Sequence, residues 1–175
     1  MKNICISFLI TAIIILSGIG FYATSPKEST QYLRIHIRAN SNEIDEQNVK
    51  YKIKDAVIEY LTPFVAECDT LKKAKAMLTE KLSAIEMVCN QVLSKYGFNY
   101  TANARVKNEN FPTRVYGGVK LDSGFYDALI IELGSGKGDN WWCVVYPPLC
   151  FTGEGVNYVY RSKILDIING FLKKE

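Results

Sequence analysis

The segment Asp69–Lys107, DTLKKAKAMLTEKLSAIEMVCNQVLSKYGFNYTANARVK, decides the fold class because two hydrophobic periods meet inside it. Up to Tyr96 the apolar residues alternate spacings of three and four, which predicts one long helix that begins at an Asp69 cap. Gly97 suits the left-handed position just past a helix end. From Asn99 onward the period is two, which predicts strands. Helices and strands therefore occupy separate blocks of the chain, as in α+β domains.

The apolar stripe of this helix has two interpretations. Its narrow, near-heptad spacing is typical of a coiled coil with a partner helix, but a stripe of this kind more commonly packs on the core of its own domain. Its residues are Leu71, Ala74, Leu78, Leu82, Ile85, Cys89, Val92 and Tyr96.

Toward the N-terminus, Tyr32–Arg38 (YLRIHIR) alternates strictly between apolar and polar residues. This pattern predicts a half-buried strand whose outer face carries Arg34, His36 and Arg38. The polar residues 39–42 then break the strand, and Asn40 with Glu43 resembles a capping box. We expect a helix over residues 43–62, with Pro63 at its end, that pairs with the following helix as a hairpin.

Toward the C-terminus, the alternation predicts strands over residues 100–107, 113–121, 126–133 and 141–146, with turns at 122–124 and 134–139. A closing amphipathic helix is predicted over residues 157–173. The expected fold is α+β: a helical hairpin packed on a mostly antiparallel β-sheet, with a C-terminal helix.

The first 25 residues differ from the rest of the chain. Lys2 precedes an almost uncharged apolar stretch, Ile4–Ala23, that is long enough to span a bilayer. We interpret residues 1–25 as an N-terminal helix that is either a cleaved signal peptide or a retained membrane anchor, residues 26–31 as a linker, and residues 32–175 as one exported domain. A retained anchor would keep the domain in contact with the membrane.

The overall composition excludes several functions. A net charge of +3 without a long basic run argues against nucleic-acid binding. The chain has one histidine, and its carboxylates are scattered without metal-ligand spacing, so we predict neither a metal nor another cofactor. A cysteine hydrolase needs a thiolate and a base, and Cys143 and His36 are the only candidates near aromatic residues. His36 is the sole histidine, and Cys143 could equally be disulfide-bonded. The sequence therefore predicts a protein that is not an enzyme.

Four cysteines follow the leader: Cys68, Cys89, Cys143 and Cys150. The last two flank Pro147-Pro148, which would turn the chain back on itself. They form either a short-loop disulfide or two buried thiols. Cys68 and Cys89 fall in predicted helices, where we expect free thiols.

The run Gly134–Phe151, GSGKGDNWWCVVYPPLCF, combines glycine, proline and tryptophan residues that a generic strand does not need. Adjacent tryptophans on a strand point to opposite faces, so we expect one in the core and the other as an exposed anchor for a partner. The polar face before the first helix is either a solvated surface with a helix cap or a contact surface. The candidate partner-binding residues are His36, Arg38, Asn40, Asp45, Asp139, Trp141 and Trp142.

Five segments of the chain together match the pattern of a known family. They are IHIRANSN (Ile35–Asn42), DEQNVKYKIKDAV (Asp45–Val57), VYGG (Val115–Gly118), LDSGFYDALIIELGSGKGDNWWCVVYPPLCF (Leu121–Phe151) and the apolar leader. With these segments the chain resembles the stage II sporulation protein R family, the exported forespore signals of endospore-forming bacteria. One departure is Asn42, where many members are expected to have Asp.

The resemblance implies binding rather than catalysis. It implies export from the forespore into the space between the two membranes that surround it. There the protein would activate a membrane-embedded aspartic protease of the mother cell, which removes the pro-segment of a sporulation sigma factor. The alternative from a different class is an exported cell-wall module that binds or hydrolyses peptidoglycan, with its aromatic residues stacked on sugars.

Overall fold

The structure of the protein is a computed structural model, and it describes residues 32–152 and 158–173. The leader and the linker predicted over residues 1–31 lie outside the described residues. None of the described helices is long and apolar enough to cross a bilayer. The elements in chain order are β1 (Leu33–Arg38), α1 (Ile44–Val65), α2 (Leu71–Lys95), β2 (Ala102–Phe111), β3 (Arg114–Tyr116), β4 (Val119–Leu121), β5 (Gly124–Leu133), β6 (Asn140–Tyr146) and α3 (Tyr158–Leu172).

Four strands form one mixed sheet in the order β2-β5-β1-β6. β5 runs antiparallel to β2 but parallel to β1, while β6 runs antiparallel to β1. The parallel pair needs a long crossover, and α1 and α2 lie within it. The predicted α+β fold with a helical hairpin and a mostly antiparallel sheet is confirmed. β3 and β4 form a separate two-stranded hairpin.

The main core lies between the sheet and the two long helices. Leu33, Ile35 and Ile37 point from β1 toward the helices because alternate residues of a strand share a face. The stripe of α2 packs on the same core, with Ala74, Leu78, Ile85 and Cys89 buried. Tyr96, the last residue predicted for the stripe, lies just past the end of the helix and is half exposed. Each fully buried aliphatic side chain contributes roughly 1.5–3 kcal/mol of hydrophobic stabilisation.

The predicted caps of both long helices are wrong. Thr70, not Asp69, caps α2, because its hydroxyl accepts the backbone N–H of Lys73. Asp69 instead forms an ion pair with the Lys73 side chain at 2.8 Å. α1 begins after Glu43, which makes no side-chain capping bond. Asn40 is not part of a capping box, because its side-chain oxygen accepts the backbone N–H of Ser135 instead of one in α1.

The predicted basic outer face of β1 is also wrong. Arg34 and His36 are buried, with 0% and 5% of their surface exposed, and only Arg38 retains partial exposure. β1 is an inner strand, and a second cluster that includes Tyr32, Phe111 and Tyr126 packs on this face of the sheet. Both faces of β1 are therefore covered over most of its length.

The strand predicted over residues 113–121 is two short strands. Gly117 and Gly118 both have positive φ, which breaks the strand and closes the β3–β4 hairpin. Arg114, Val115 and Tyr116 pair with Leu121, Lys120 and Val119. The resulting hairpin packs on the sheet face opposite α1 and α2. The alternating pattern alone does not indicate this hairpin.

Candidate functional site

The candidate site is the sheet face opposite α1 and α2, which we call the charged face. The register of β1 places its alternate residues beside polar residues from β2, β5 and β6 on this face. The residues of the charged face are His36, Arg38, Arg105, Lys107, Glu109, Glu132 and Trp142.

An ion-pair network joins most of these side chains. Glu109 pairs with His36 Nδ1 at 3.0 Å, with Lys107 Nζ at 2.7 Å, and with Arg38. Glu132 pairs with Arg38 Nη1 at 2.6 Å and with Arg105 Nη2 at 2.7 Å. The three cations Arg38, Arg105 and Lys107 against two carboxylates leave a net charge of +1 when His36 is neutral. This surface suits a partner with an acidic contact.

The electrostatics of the network favour neutral His36 and ionised glutamates. Burial lowers the pKa of His36, and the Arg38 charge adds to this, against opposing hydrogen bonds from Asn140 and Glu109. Burial alone would raise the pKa of Glu109, but the Lys107 hydrogen bond and the Arg38 charge outweigh it and hold the pKa low. For Glu132, Arg105 and Arg38 likewise outweigh burial and lower the pKa.

The lowered pKa of His36 predicts a stability loss in mild acid. In the unfolded chain this histidine gains its proton near pH 6.5, whereas the folded form gains it only at lower pH. Below about pH 6.5 the unfolded state therefore binds more protons, and stability falls by at most about 1.4 kcal/mol per pH unit for this one group.

Urea unfolding at about pH 7 and pH 5.5 tests this expectation. The wild-type protein should lose more stability between the two pH values than His36→Gln, which cannot titrate there. Equal losses in both proteins would contradict the expectation.

The two tryptophans lie on opposite faces, as their adjacency predicts. Trp141 pairs with Ile37 and packs on the helix-side core, while Trp142 pairs with His36 on the charged face. Both are partly buried, so Trp141 is not fully enclosed by the core and Trp142 is not a fully exposed anchor. The Arg114 guanidinium lies 4.3 Å from the Trp142 ring centroid, and the His36 ring lies 5.4 Å from it.

A second constellation joins the elbow, residues 39–42, to the glycine loop, residues 134–139. Asn40 Oδ1 accepts the Ser135 N–H at 2.9 Å, and the Gly138 N–H donates to Ala39 O at 2.8 Å. Asn42 Oδ1 accepts the Asp139 N–H at 2.6 Å. An Asp at position 42 could accept the same bond, so the departure at Asn42 preserves this contact.

The buried Lys50 of α1 also stabilises this joint. Only 1% of its surface is exposed, and its Nζ donates to Asp139 O at 3.0 Å and to Gln47 Oε1. Burial lowers the pKa of Lys50, against the opposing charge of Asp139. Asn40 and the Asp139 backbone are therefore structural in this joint, although the Asp139 side chain is exposed.

The structure thus brings together only some of the predicted contact residues. His36, Arg38 and Trp142 share the charged face, while Asn40 and Asp139 lie in the joint at its end. Trp141 faces the helices, and Asp45 is exposed in the first turn of α1. Sequence reasoning missed Arg105, Lys107, Glu109 and Glu132, although the period-two spacing of Arg105, Lys107 and Glu109 was visible.

The cysteines do not assemble a nucleophilic site. Cys143 is bonded to Cys150, and their Cα atoms are 6.3 Å apart. Cys143 is paired with Ile35 on the helix side, so it faces away from His36. Cys68 and Cys89 are free and buried, and burial raises the pKa of Cys89 to about 12. In the described part of the chain, no group of three or more His, Cys, Asp or Glu is placed to hold a metal ion.

Fold and site together define a small α+β domain that presents a charged and aromatic sheet face beside a glycine-rich joint. The family described as Stage II sporulation protein R (spore_II_R) matches residues 29–155, and the chain belongs to this family. A similar protein is "Stage II sporulation protein R" of Bacillus subtilis (strain 168), at 36% identity over 130 residues. The match covers 72% of this chain but 58% of that protein. No solved structure matches the chain.

Proposed function

We propose that this protein is an exported sporulation signal that activates a membrane-embedded aspartic protease of the mother cell. Activation triggers removal of the pro-segment from a sporulation sigma factor. The protein acts in the space between the forespore and mother-cell membranes, either secreted or held by its N-terminal segment. Membership of the stage II sporulation protein R family supports this role, together with a folded domain in which the candidate cysteine and histidine lie on opposite faces.

The observation that carries the proposal is that part of the charged face is exposed to solvent. Arg105 and Lys107 are 38% and 39% exposed, beside the partly buried Arg38 and Trp142. Arginine and tryptophan are enriched among the residues that dominate binding energy at interfaces. A positively biased patch also accelerates encounter with an acidic surface.

Activation by binding requires a difference in affinity. The signal must bind the active state of the protease more tightly than the inactive state, because equal affinity shifts no population. Favouring the dimer of the protease is one way to meet this condition. The protease would then form its full interface with the charged face only in its active, dimeric state.

The cell-wall alternative gains no specific support from the aromatic residues. A sugar-stacking site needs a free aromatic face, but the Trp142 ring is in contact with Arg114 and His36. Trp141 packs on the helix-side core.

Reconstitution in a non-sporulating bacterium tests the proposal. The chain, the protease and the sigma-factor precursor are expressed together, and the precursor is followed by immunoblot. We expect cleavage with the full chain and none with a chain that lacks residues 1–25 and so stays in the cytoplasm. Absence of cleavage, with all three proteins detected and the chain exported, would reject the proposed activity.

A pair of charge reversals in the same assay tests the surface. Arg105→Glu places a negative charge on the charged face, and Lys72→Glu makes the same change on the exposed surface of α2. We expect Arg105→Glu to lower cleavage about tenfold or more and Lys72→Glu to leave it unchanged. Similar cleavage by both folded variants would place the interface elsewhere.

A further inference from the structure

Arg34 is a fully buried cation without a carboxylate partner. None of its surface is exposed, and no carboxylate among the described residues lies within ion-pair distance of it. Its Nε and Nη1 atoms have no hydrogen-bond partner in the described part of the protein. Burying an unpaired charge costs free energy of folding, so a group of this kind calls for a structural or functional explanation.

Three aromatic rings enclose the Arg34 guanidinium. Its Cζ lies 4.2 Å from the Phe111 ring centroid, 4.8 Å from that of Tyr126 and 5.7 Å from that of Tyr116. Cation–π attraction offsets part of the desolvation cost but leaves the in-plane N–H donors unsatisfied. The guanidinium therefore lies among three rings with Nε and Nη1 unpartnered and one hydrogen bond at Nη2.

That contact is the hydrogen bond from Arg34 Nη2 to the Tyr116 hydroxyl at 2.9 Å. Nη2 belongs to both bidentate edges of a guanidinium, the edge shared with Nε and the edge shared with Nη1. Nη2 carries two N–H groups, one on each edge, so the Tyr116 hydroxyl occupies one of the two edges. At that edge the hydroxyl takes the position of a carboxylate oxygen and competes with it.

Tyr116 belongs to the β3–β4 hairpin, whose two strands pair with each other and not with the four-stranded sheet. Each strand is three residues long, and such a hairpin is marginally stable by itself. An added Cβ at Gly117 or Gly118 would meet nothing within 4 Å, so the tip stands clear of other elements. Its side-chain contacts with the domain include the buried Leu121, the packing of Tyr116 and Val119 on the second cluster, the Arg114 contact with Trp142, and the Arg34–Tyr116 bond.

We infer that Arg34 is a binding site for an aspartate or glutamate side chain of a protein partner, reached when the β3–β4 hairpin moves outward and Tyr116 leaves the guanidinium. This inference rests on the proposed function, because it names the chemistry by which the signalled protein is held. A bound carboxylate would use Nη2 together with Nε or Nη1, and would neutralise the buried charge.

The single charge and the aromatic walls favour a carboxylate over a phosphate. One monoanion leaves the site neutral, whereas a dianionic phosphate would leave a net negative charge among three aromatic rings. A planar carboxylate can also lie in the plane of the guanidinium between the rings, as a bidentate pair requires.

Nuclear magnetic resonance of the purified full chain in detergent micelles tests the site. The Nε–H signal of Arg34, assigned by its loss in Arg34→Lys, is followed while N-acetyl-glutamate amide is added. We expect a saturable shift, with about fivefold tighter binding in Tyr116→Phe, because the competing hydroxyl is gone while the ring remains.

Tyr126→Phe is the matched control. It removes a hydroxyl from the same aromatic enclosure, but that hydroxyl donates to Asp122 O and not to Arg34. Binding in this variant should equal the wild type. The inference is overturned if Tyr116→Phe shows no Arg34 shift, if N-acetyl-glutamine amide shifts it equally, or if inorganic phosphate binds as tightly. Since no protease is present, failure here is separate from failure of the cleavage assay.

Discussion

Gly138→Ala is expected to destabilise the protein by about 3 kcal/mol, because the joint between the elbow and the glycine loop has no room for a side chain. An added Cβ would lie 2.2 Å from Ser41 O and 2.5 Å from Ser41 C. Both are backbone atoms, so they can move only if the neighbouring hydrogen bonds of the joint also move. The free energy of unfolding from urea melts measures the loss.

Gly170→Ala is the control for this prediction. Gly170 lies in α3, and an added Cβ there meets nothing within 4 Å. The same substitution should stabilise the protein by roughly 0.5–1 kcal/mol, since alanine is the better helix former. A Gly138→Ala variant as stable as the wild type would show that the joint can open to admit a methyl group.

The tightness of this joint changes the interpretation of two prominent sequence segments. The elbow and the glycine loop are about 95 residues apart in the chain, yet Asn40 bonds to Ser135 through both its side chain and its backbone carbonyl. Asn40 was a candidate contact residue because it is polar and follows a strand. Its role in the structure is to hold the end of β1 against the glycine loop that follows β5.

Elements that depend on local pattern were predictable from the sequence. The stripe of α2 and the position of Gly97 mark a helix and its end, and the structure has both, with φ of +80° at Gly97. The opposite orientations of Trp141 and Trp142 follow from strand geometry alone. These features need only neighbours within a few residues.

Features that depend on distant segments were not predictable. Arg34 alternates with apolar residues as a solvent-facing residue does, but Tyr116, 82 residues away, covers it. The alternating pattern predicts one longer strand where the structure has the β3–β4 hairpin that carries Tyr116. Glu109 and Glu132 likewise become site residues only because β2 and β5 lie beside β1 in the sheet.

Glu109→Gln is expected to lower stability by about 2–3 kcal/mol at pH 7, because one carboxylate compensates several partly buried donors. Glu109 is 14% exposed and contacts His36, Arg38 and Lys107. Glutamine keeps the shape but removes the charge, and it brings an N–H₂ group toward cationic neighbours. Loss of the charge leaves Arg38 with Glu132 as its remaining carboxylate partner.

The control is Glu80→Gln, which makes the same change at a carboxylate that is 73% exposed and pairs with Lys81. An exposed pair of this kind contributes about 0–1 kcal/mol, so this variant should be close to the wild type. If both variants lost the same stability, the charged face would be no more than a solvated surface.

The pH dependence of Glu109→Gln separates charge from shape. Because the pKa of Glu109 is lowered in the folded state, its contribution is present above the unfolded pKa and is lost as pH falls through the lower, folded value. The wild type and the variant should therefore differ most near neutral pH and converge in acid, where Glu109 is protonated and resembles glutamine. A difference that stayed constant from about pH 7 to pH 3.5 would mean that packing, not the charge network, determines the effect.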